Sequence, residues 1–281
     1  MDLVATRKAP VPSALERQAD DVVAEVISNE QANAEYKLLV LRADPTACLA
    51  RAGQFFNLEC PPTQADKPFF RRPMSVYRAD PAAGRLEFLY KITGVGSRAL
   101  ASLAPGTRLR ALGPLGLGFE LDPRWRTIVV LARGVGLATL APLAELAAER
   151  RLGVVAIISA RGPGQALSVE RFTGAGAQVE LVFDSDGSSE PVNIEAKLRS
   201  LHKNQRADAF FTCGSNRLML LMQRLGGELG IPGQVALEQQ MACGLGMCFC
   251  CVRKFRCGTT TVSRRVCWEG PVFDLQEALS W

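Results

Sequence analysis

The sequence predicts an α+β protein of several domains, in which an antiparallel β-barrel precedes an α/β domain with a parallel sheet and a small cysteine-rich domain ends the chain. Three observations predict this order. Short β-rich runs bounded by turn residues fill the first part of the chain, strands alternate with helices in the middle, and six of the nine cysteines lie after position 240. The changes of pattern place domain boundaries near residues 122 and 228.

The composition narrows the class of protein. The chain has 281 residues, 48% hydrophobic and 22% charged, with a net charge of +5, which is ordinary for a globular protein and does not point to nucleic acid. No apolar run approaches the roughly 18 to 20 residues of a membrane-spanning helix, and the first residues lack the apolar segment of a secretory signal. We therefore expect a cytoplasmic protein, not attached to a membrane, whose cysteines stay reduced.

The first part of the chain is a leader followed by the predicted barrel. Residues 1–20 are polar and contain proline, and they predict a flexible leader. Residues 21–122 contain short strands, such as "YKLLVLRAD" and "GRLEFLYKI", separated by Gly, Pro, Asn or Asp at regular intervals. Strands of this spacing are typical of a small antiparallel barrel.

Two stretches of the barrel could bind a ligand that combines phosphate with an aromatic ring. The first consists of Arg72, Pro73, Met74 and Ser75. Its arginine offers a planar fork suited to a pyrophosphate, and its serine can hydrogen-bond a flavin ring. In the second, Gly94, Gly96 and Ser97 join a strand to a helix start, where phosphate can bind. Each signal alone is weak, because a solvated strand arginine and a common glycine-serine turn would look the same.

Residues 123–228 read as an α/β domain that could bind a dinucleotide. The turn after its first strand carries Gly134 and Gly136, where a pyrophosphate would meet a helix N-terminus. A later strand ends at Cys213 and Gly214, on the sheet edge where open α/β sheets bind ligands. Cys213 could equally be a small buried residue.

Residues 229–281 contain the most specific pattern, Cys243-x4-Cys248-x2-Cys251 with Cys267 further on. This is the spacing with which plant-type ferredoxins bind a [2Fe–2S] cluster through four thiolates. Glycines between the first two cysteines let the loop wrap closely and turn backbone N–H groups toward the sulfurs. Zinc is the main alternative, although its usual sites combine two C-x2-C pairs and only one is present here; buried filler is another.

Two further cysteines of this segment, Cys250 and Cys257, lie outside the ligand spacing. We expect both to be packed free thiols.

Together these motifs resemble the ferredoxin reductase superfamily, and within it the electron transfer subunits of NAD-dependent dihydroorotate dehydrogenase. The resemblance covers roughly residues 20–275 and rests on "RRPMS", "GVGS", "TCGS" and the tail "LEQQMACGLGMCFCC". The tail is its most specific part, because the cysteines follow the reductase domains at the C-terminus.

The resemblance implies residue roles. Arg72, Pro73, Met74 and Ser75 match the flavin motif; Leu89, Tyr90 and Lys91 match the adjoining FAD-contact strand; Gly96 and Ser97 match the pair that receives the FAD phosphates, with serine in place of threonine. Cys243, Cys248, Cys251 and Cys267 match the four cluster ligands.

The resemblance also implies an oxidoreductase that works with a partner. A separate FMN-bearing catalytic subunit would oxidise dihydroorotate in pyrimidine biosynthesis, and electrons would pass through the cluster and FAD to NAD(P). No side-chain acid or base is required, which suits a chain with a single histidine, His202. We expect a hetero-oligomer, with no nucleic acid and no membrane as partner.

The nucleotide turn departs from the family pattern and leaves alternatives open. It reads "ARGVGLATLAP", with Ala132 and Arg133 where the family has glycines. Arg133 could pair with a phosphate or cap the strand in solvent, and Arg161 could read a 2′-phosphate or be an ordinary surface residue, so the choice between NAD and NADP stays open. Rival functions are a stand-alone NAD(P)H reductase for an oxygenase or ferredoxin, the reductase subunit of a different flavoprotein complex, and a zinc-bearing scaffold or regulator.

Overall fold

The computed structural model describes residues 19–280, so the predicted leader lies outside the described residues except for its last two positions. The first part of the chain contains seven strands and one helix: β1 (Asp20–Gln31), β2 (Tyr36–Arg42), β3 (Phe55–Leu58), β4 (Arg72–Ser75), β5 (Arg78–Asp80), β6 (Arg85–Lys91), α1 (Val95–Ala101) and β7 (Arg108–Leu115). A short 3-10 turn, Ala47–Leu49, precedes β3.

These strands form one antiparallel sheet in the order β4-β3-β7-β1-β2-β6-β5. Its apolar residues alternate along the strands, so that Phe56 and Phe88 meet in the core with ring centroids 5.8 Å apart. Within the described chain the sheet ends at β4 and β5, which do not pair with each other. The predicted antiparallel barrel is therefore confirmed as an antiparallel sheet, but this sheet is a half-barrel and not a closed barrel.

The middle of the chain alternates strands and helices as predicted: β8 (Thr127–Arg133), α2 (Gly136–Glu149), β9 (Gly153–Ala160), α3 (Val169–Gly174), β10 (Gln178–Phe183), α4 (Pro191–Lys203), β11 (Ala209–Cys213), α5 (Asn216–Leu229) and β12 (Gly233–Ala236). A 3-10 turn, Pro163–Gln165, follows β9. The five strands form a parallel sheet in the order β10-β9-β8-β11-β12.

Both faces of this parallel sheet are covered. Along β8, Ile128 and Val130 share a core with residues of α2 and α3, whereas Val129 and Leu131 share one with residues of α4 and α5. A strand buried on both faces reads as a continuous apolar run, and this is why "TIVVLA" was recognisable in the sequence.

The tail consists of β13 (Val252–Cys257), β14 (Thr260–Arg265), α6 (Val266–Glu269) and β15 (Val272–Asp274). β13 and β14 form a separate hairpin, while β15 pairs antiparallel with β12 and becomes the sixth strand of the second sheet. Residues 229–281 were predicted to form the cluster domain, but two strands of this segment, β12 and β15, belong to the second sheet. Both strands are too short for periodicity to reveal them.

Among residues 19–280, no helix is both long and apolar enough to cross a membrane.

Candidate functional site

A cavity of about 1040 Å³ opens where β4, β6 and the start of α1 face the segment that leads from β12 into the cysteine loop. All nine residues matched to flavin contacts line it: Arg72, Pro73, Met74, Ser75, Leu89, Tyr90, Lys91, Gly96 and Ser97. The opposite wall is formed by Leu237–Ala242 together with Cys250. Because ligand cavities commonly span roughly 300 to 1,000 Å³, this one can hold a ligand of dinucleotide size.

Arg72 and Gly96 fit together at one end of the cavity. The Arg72 side chain lies across the first turn of α1, and a Cβ at Gly96 would be only 2.4 Å from its Nε. Arg72 Nη1 also donates to the backbone oxygen of Phe70 at 2.6 Å. The Ser97 hydroxyl holds the same turn, since it accepts from the N–H groups of Thr93 at 2.8 Å and Gly94 at 3.0 Å. A guanidinium beside the first turn of a helix is suited to phosphate.

Tyr90 contributes to the cavity without its hydroxyl. Its side chain is buried, its hydroxyl donates to Asn29 Oδ1 at 2.9 Å, and burial raises the pKa of that hydroxyl to about 12. Tyr90 therefore stays a neutral donor committed to the first sheet, and offers a ligand only its backbone and ring edge.

Ser75 connects the cavity to the second sheet. Thr139 Oγ1, on α2, donates to Ser75 Oγ at 2.9 Å. Ser75, the last residue of the flavin motif, is therefore held where a ligand bound to the first sheet would contact a ligand bound to the second sheet.

Gly134, Gly136, Cys213 and Gly214 lie together at the carboxyl ends of the neighbouring strands β8 and β11. The two turns touch through their backbones. A Cβ at Gly136 would be 2.4 Å from the carbonyl oxygen of Cys213, and one at Gly214, whose φ is +88°, would be 2.2 Å from that of Arg133. Cys213 is buried, which raises the pKa of its thiol. None of these four residues lines the large cavity, but Val135 between the two glycines does.

The two arginines near this edge are held by carboxylates from other elements. Arg133 Nη1 donates to Ser159 Oγ at 2.8 Å and to Asp184 Oδ1 at 3.0 Å. Two hydrogen bonds, the one from Arg133 with the larger effect and the one from Ser189 with the smaller, lower the pKa of Asp184 to about 2. Arg161 pairs with Glu35. Both arginines therefore take part in long-range ion pairs.

Glu238 is a cavity residue that no sequence motif indicated. It lies two residues after β12 and is exposed to the cavity. Partial desolvation by nearby protein atoms raises the pKa of its carboxyl. The signal that could have revealed it is its place just beyond the carboxyl end of a parallel strand, but that required recognising the four-residue β12.

The four cysteines with ferredoxin-like spacing come together as two pairs. Cys251 and Cys267 are buried with their Sγ atoms 3.2 Å apart. The other pair is Cys243 and Cys248. The Cys248 thiol donates a hydrogen bond to the Cys243 sulfur. Among residues 19–280 no group of three or more His, Cys, Asp or Glu side chains converges as a single metal ion would require.

Backbone N–H groups point at these sulfurs. Leu245 N–H donates to Cys243 Sγ at 3.3 Å, and Cys267 N–H donates to Cys251 Sγ at 3.4 Å. Burial acts to raise the pKa of Cys243, but the N–H groups of Cys248 and Leu245 outweigh it and lower that pKa to about 7. The loop thus favours a thiolate at Cys243, which is the form that binds metal.

The expectation that Cys250 and Cys257 are packed thiols is wrong, because both are exposed. Phe249 has a left-handed backbone with φ of +56°, and Cys250 directly after it lines the large cavity. Cys257 is the last residue of β13, at the exposed tip of the hairpin.

Comparisons with known proteins agree with this arrangement. Residues 238–279 match the family model described as the iron-sulfur cluster binding domain of dihydroorotate dehydrogenase B. The dihydroorotate dehydrogenase B (NAD(+)) electron transfer subunit of Desulforamulus reducens is 33% identical over 232 residues, which are 82% of this chain and 87% of the relative. The subunit of the same name from Streptococcus pneumoniae is 29% identical over 250 residues, 88% of this chain and 94% of the relative.

Solved structures show the same fold. The structure of an NADH-dependent reduced ferredoxin-NADP oxidoreductase superposes with a TM-score of 0.76 at 22% identity, covering 90% of this chain and 88% of that one. An Amycolatopsis cytochrome P450 reductase gives a TM-score of 0.58 at 22% identity, covering 76% and 66%. From the identity and coverage of its relatives, the chain belongs to the family of dihydroorotate dehydrogenase B electron transfer subunits.

Proposed function

We propose that this chain is the electron transfer subunit of an NAD-linked dihydroorotate dehydrogenase. It is an oxidoreductase that assembles with an FMN-bearing catalytic subunit and transfers electrons between that subunit and NAD(P) by means of a [2Fe–2S] cluster and FAD. The observation that carries the proposal is the shared cavity, because the flavin motif forms one wall and the segment entering the cysteine loop forms the other.

The residues present fit FAD. Arg72 and the turn at Gly96 and Ser97 would hold its phosphates, Ser75 would hydrogen-bond its ring system, and Leu89–Lys91 would line its side. When bound, FAD exchanges hydride with nicotinamide and single electrons with an iron–sulfur cluster, so it joins the two kinds of chemistry. The protein's part is to position the ring and exclude water, and we assign no catalytic acid or base.

The cysteines fit a [2Fe–2S] cluster. Such a cluster takes four thiolates, and two separate pairs suit its two irons better than a mononuclear zinc site, where four ligands surround one ion. Cys243 with Cys248 and Cys251 with Cys267 are the proposed ligands. The N–H groups directed at the sulfurs would stabilise their negative charge.

For nicotinamide dinucleotide we propose the edge formed by Gly134, Gly136, Cys213 and Gly214. Its support is the position of both glycine turns at the carboxyl ends of β8 and β11, the edge at which open α/β sheets bind ligands, together with the close backbone contact of the two turns. Val135 and Ser75 are the residues through which this edge adjoins the flavin cavity.

We further propose that each of three segments of the chain binds a different cofactor or substrate. Residues 21–122 bind FAD, residues 123–228 bind NAD(P) and residues 229–281 bind the cluster, with β12 and β15 of this last segment completing the second sheet. All nine cysteines are free of disulfides, and the cytoplasm, where thiols stay reduced, is the compartment we propose.

The test is the cofactor content of the full chain, purified without oxygen. We expect about two irons and about one FAD per chain with the visible absorbance of both, and reduction of both by NADH. A colourless, zinc-loaded protein would contradict the proposal. Rapid NADH-driven reduction of ferredoxin by the chain alone, with no partner recovered on co-purification, would favour the stand-alone reductase instead.

A further inference from the structure

Asn57 is a buried polar residue of the first sheet. It lies on β3, is 1% exposed, and neither its Nδ2 nor its Oδ1 has a hydrogen-bond partner within the described chain. Leaving a buried amide unpaired is costly, and nearly all such groups in proteins have a partner. The position of Asn57 therefore calls for an acceptor or donor close by.

Its side chain faces the cysteine loop. Side chains alternate along a strand, so Asn57 shares a face with Phe55, whereas Phe56 and Leu58 belong to the core of the first sheet. Phe55 lies in the same hydrophobic cluster as Cys251 and Cys267. This face of β3 is therefore the one on which the cluster segment rests.

The contact itself is at Gly244, the residue after the proposed ligand Cys243. A Cβ at Gly244 would be 2.5 Å from Asn57 Nδ2 and 2.9 Å from Leu115 Cδ1, and its φ of +73° also favours glycine. The loop is thus seated directly on the Asn57 amide. On its other side, the Asn57 backbone pairs in register with Pro73 of the flavin motif.

We propose that the Asn57 side-chain amide donates a hydrogen bond to a sulfur of the cluster on its Cys243 side and so raises the cluster's reduction potential. The inference rests on the proposed function, since it requires the cluster. Hydrogen bonds to cluster sulfurs favour the reduced, more negative form. Asn57 would thus touch the cluster directly, and it joins the strand that pairs with the flavin motif to the cluster loop.

The experiment is a redox titration of the full, cofactor-loaded chain, with the cluster followed by EPR and the flavin by absorbance. Asn57→Leu keeps the shape and removes the donor, and should lower the equilibrium constant for one-electron reduction of the cluster about tenfold, which is about 59 mV. The flavin potential should not move, and neither potential should move in the control Asn193→Leu, an exposed asparagine of α4.

An unchanged cluster potential in Asn57→Leu, with iron content as in the wild type, would overturn the inference. If Asn57→Leu loses iron, the unfolding temperatures of the cluster-free variant and the cluster-free wild type are compared. An unchanged or higher temperature in the variant supports a hydrogen bond from Asn57 to the cluster. A lower temperature indicates that Asn57 has only a structural role and overturns the inference. Absence of iron from the wild type would contradict the proposed function itself, so the two failures are distinguishable.

Discussion

Replacing Cys248 with serine is expected to remove the [2Fe–2S] absorbance and to slow dihydroorotate-driven reduction of NAD⁺ at least about 100-fold, since loss of a ligand should cost no less than loss of a supporting residue. The thiolate is the ligand that iron–sulfur clusters use, and serine offers a poorer donor. The measurement is the visible spectrum and iron content of the variant, followed by its rate in complex with the catalytic subunit.

Cys250→Ser is the matched control, because Cys250 is two residues away, is exposed as Cys248 is, and carries the same thiol. Because Cys250 lies outside the ligand spacing, the visible spectrum of the Cys250→Ser variant should be nearly that of the wild type. Equal loss of iron in the two variants would mean that the assignment of the ligands is wrong.

Replacing Arg72 with alanine is expected to weaken FAD binding by roughly 10- to 150-fold, the equivalent of about 1.5–3 kcal/mol for a hydrogen bond to a charged group. The Arg72 guanidinium lies across the first turn of α1, where we propose that the FAD phosphates bind. The measurement is the dissociation constant from FAD fluorescence after the apoprotein is titrated.

Arg71→Ala provides the control for charge. Arg71 is the neighbouring arginine, does not line the cavity, and pairs with Asp21 at 3.0 Å. It should leave the FAD dissociation constant close to that of the wild type. A similar loss in both variants would show that Arg72 acts only through the general positive charge of this region.

Features that depend on residues close together in the chain were predictable from the sequence. The strands and helices from β8 to α5 follow from buried apolar runs and amphipathic periodicity, and the cysteine spacing indicated the kind of cluster. Motifs indicated the residues of β4, β6 and α1 that we propose to bind FAD, and these residues line one cavity. Each of these predictions used residues close together in the chain.

Features that depend on distant residues were not predictable. Arg161 and Glu35 are 126 positions apart, and no local pattern connects them. Glu238 and Cys250 became cavity residues only because the tail folds back over the flavin strands. Asn57 looked like an ordinary strand position, and only the placement of Gly244 against it gives it a role.

The most direct test is to mix dihydroorotate and NAD⁺, without oxygen, with the complex of this chain and its catalytic subunit. We predict that the cluster and the FAD of this chain become reduced at least as fast as NADH is formed, and that Cys248→Ser blocks reduction of the FAD. A wild-type complex whose cluster and FAD stay oxidised while NADH accumulates would contradict it.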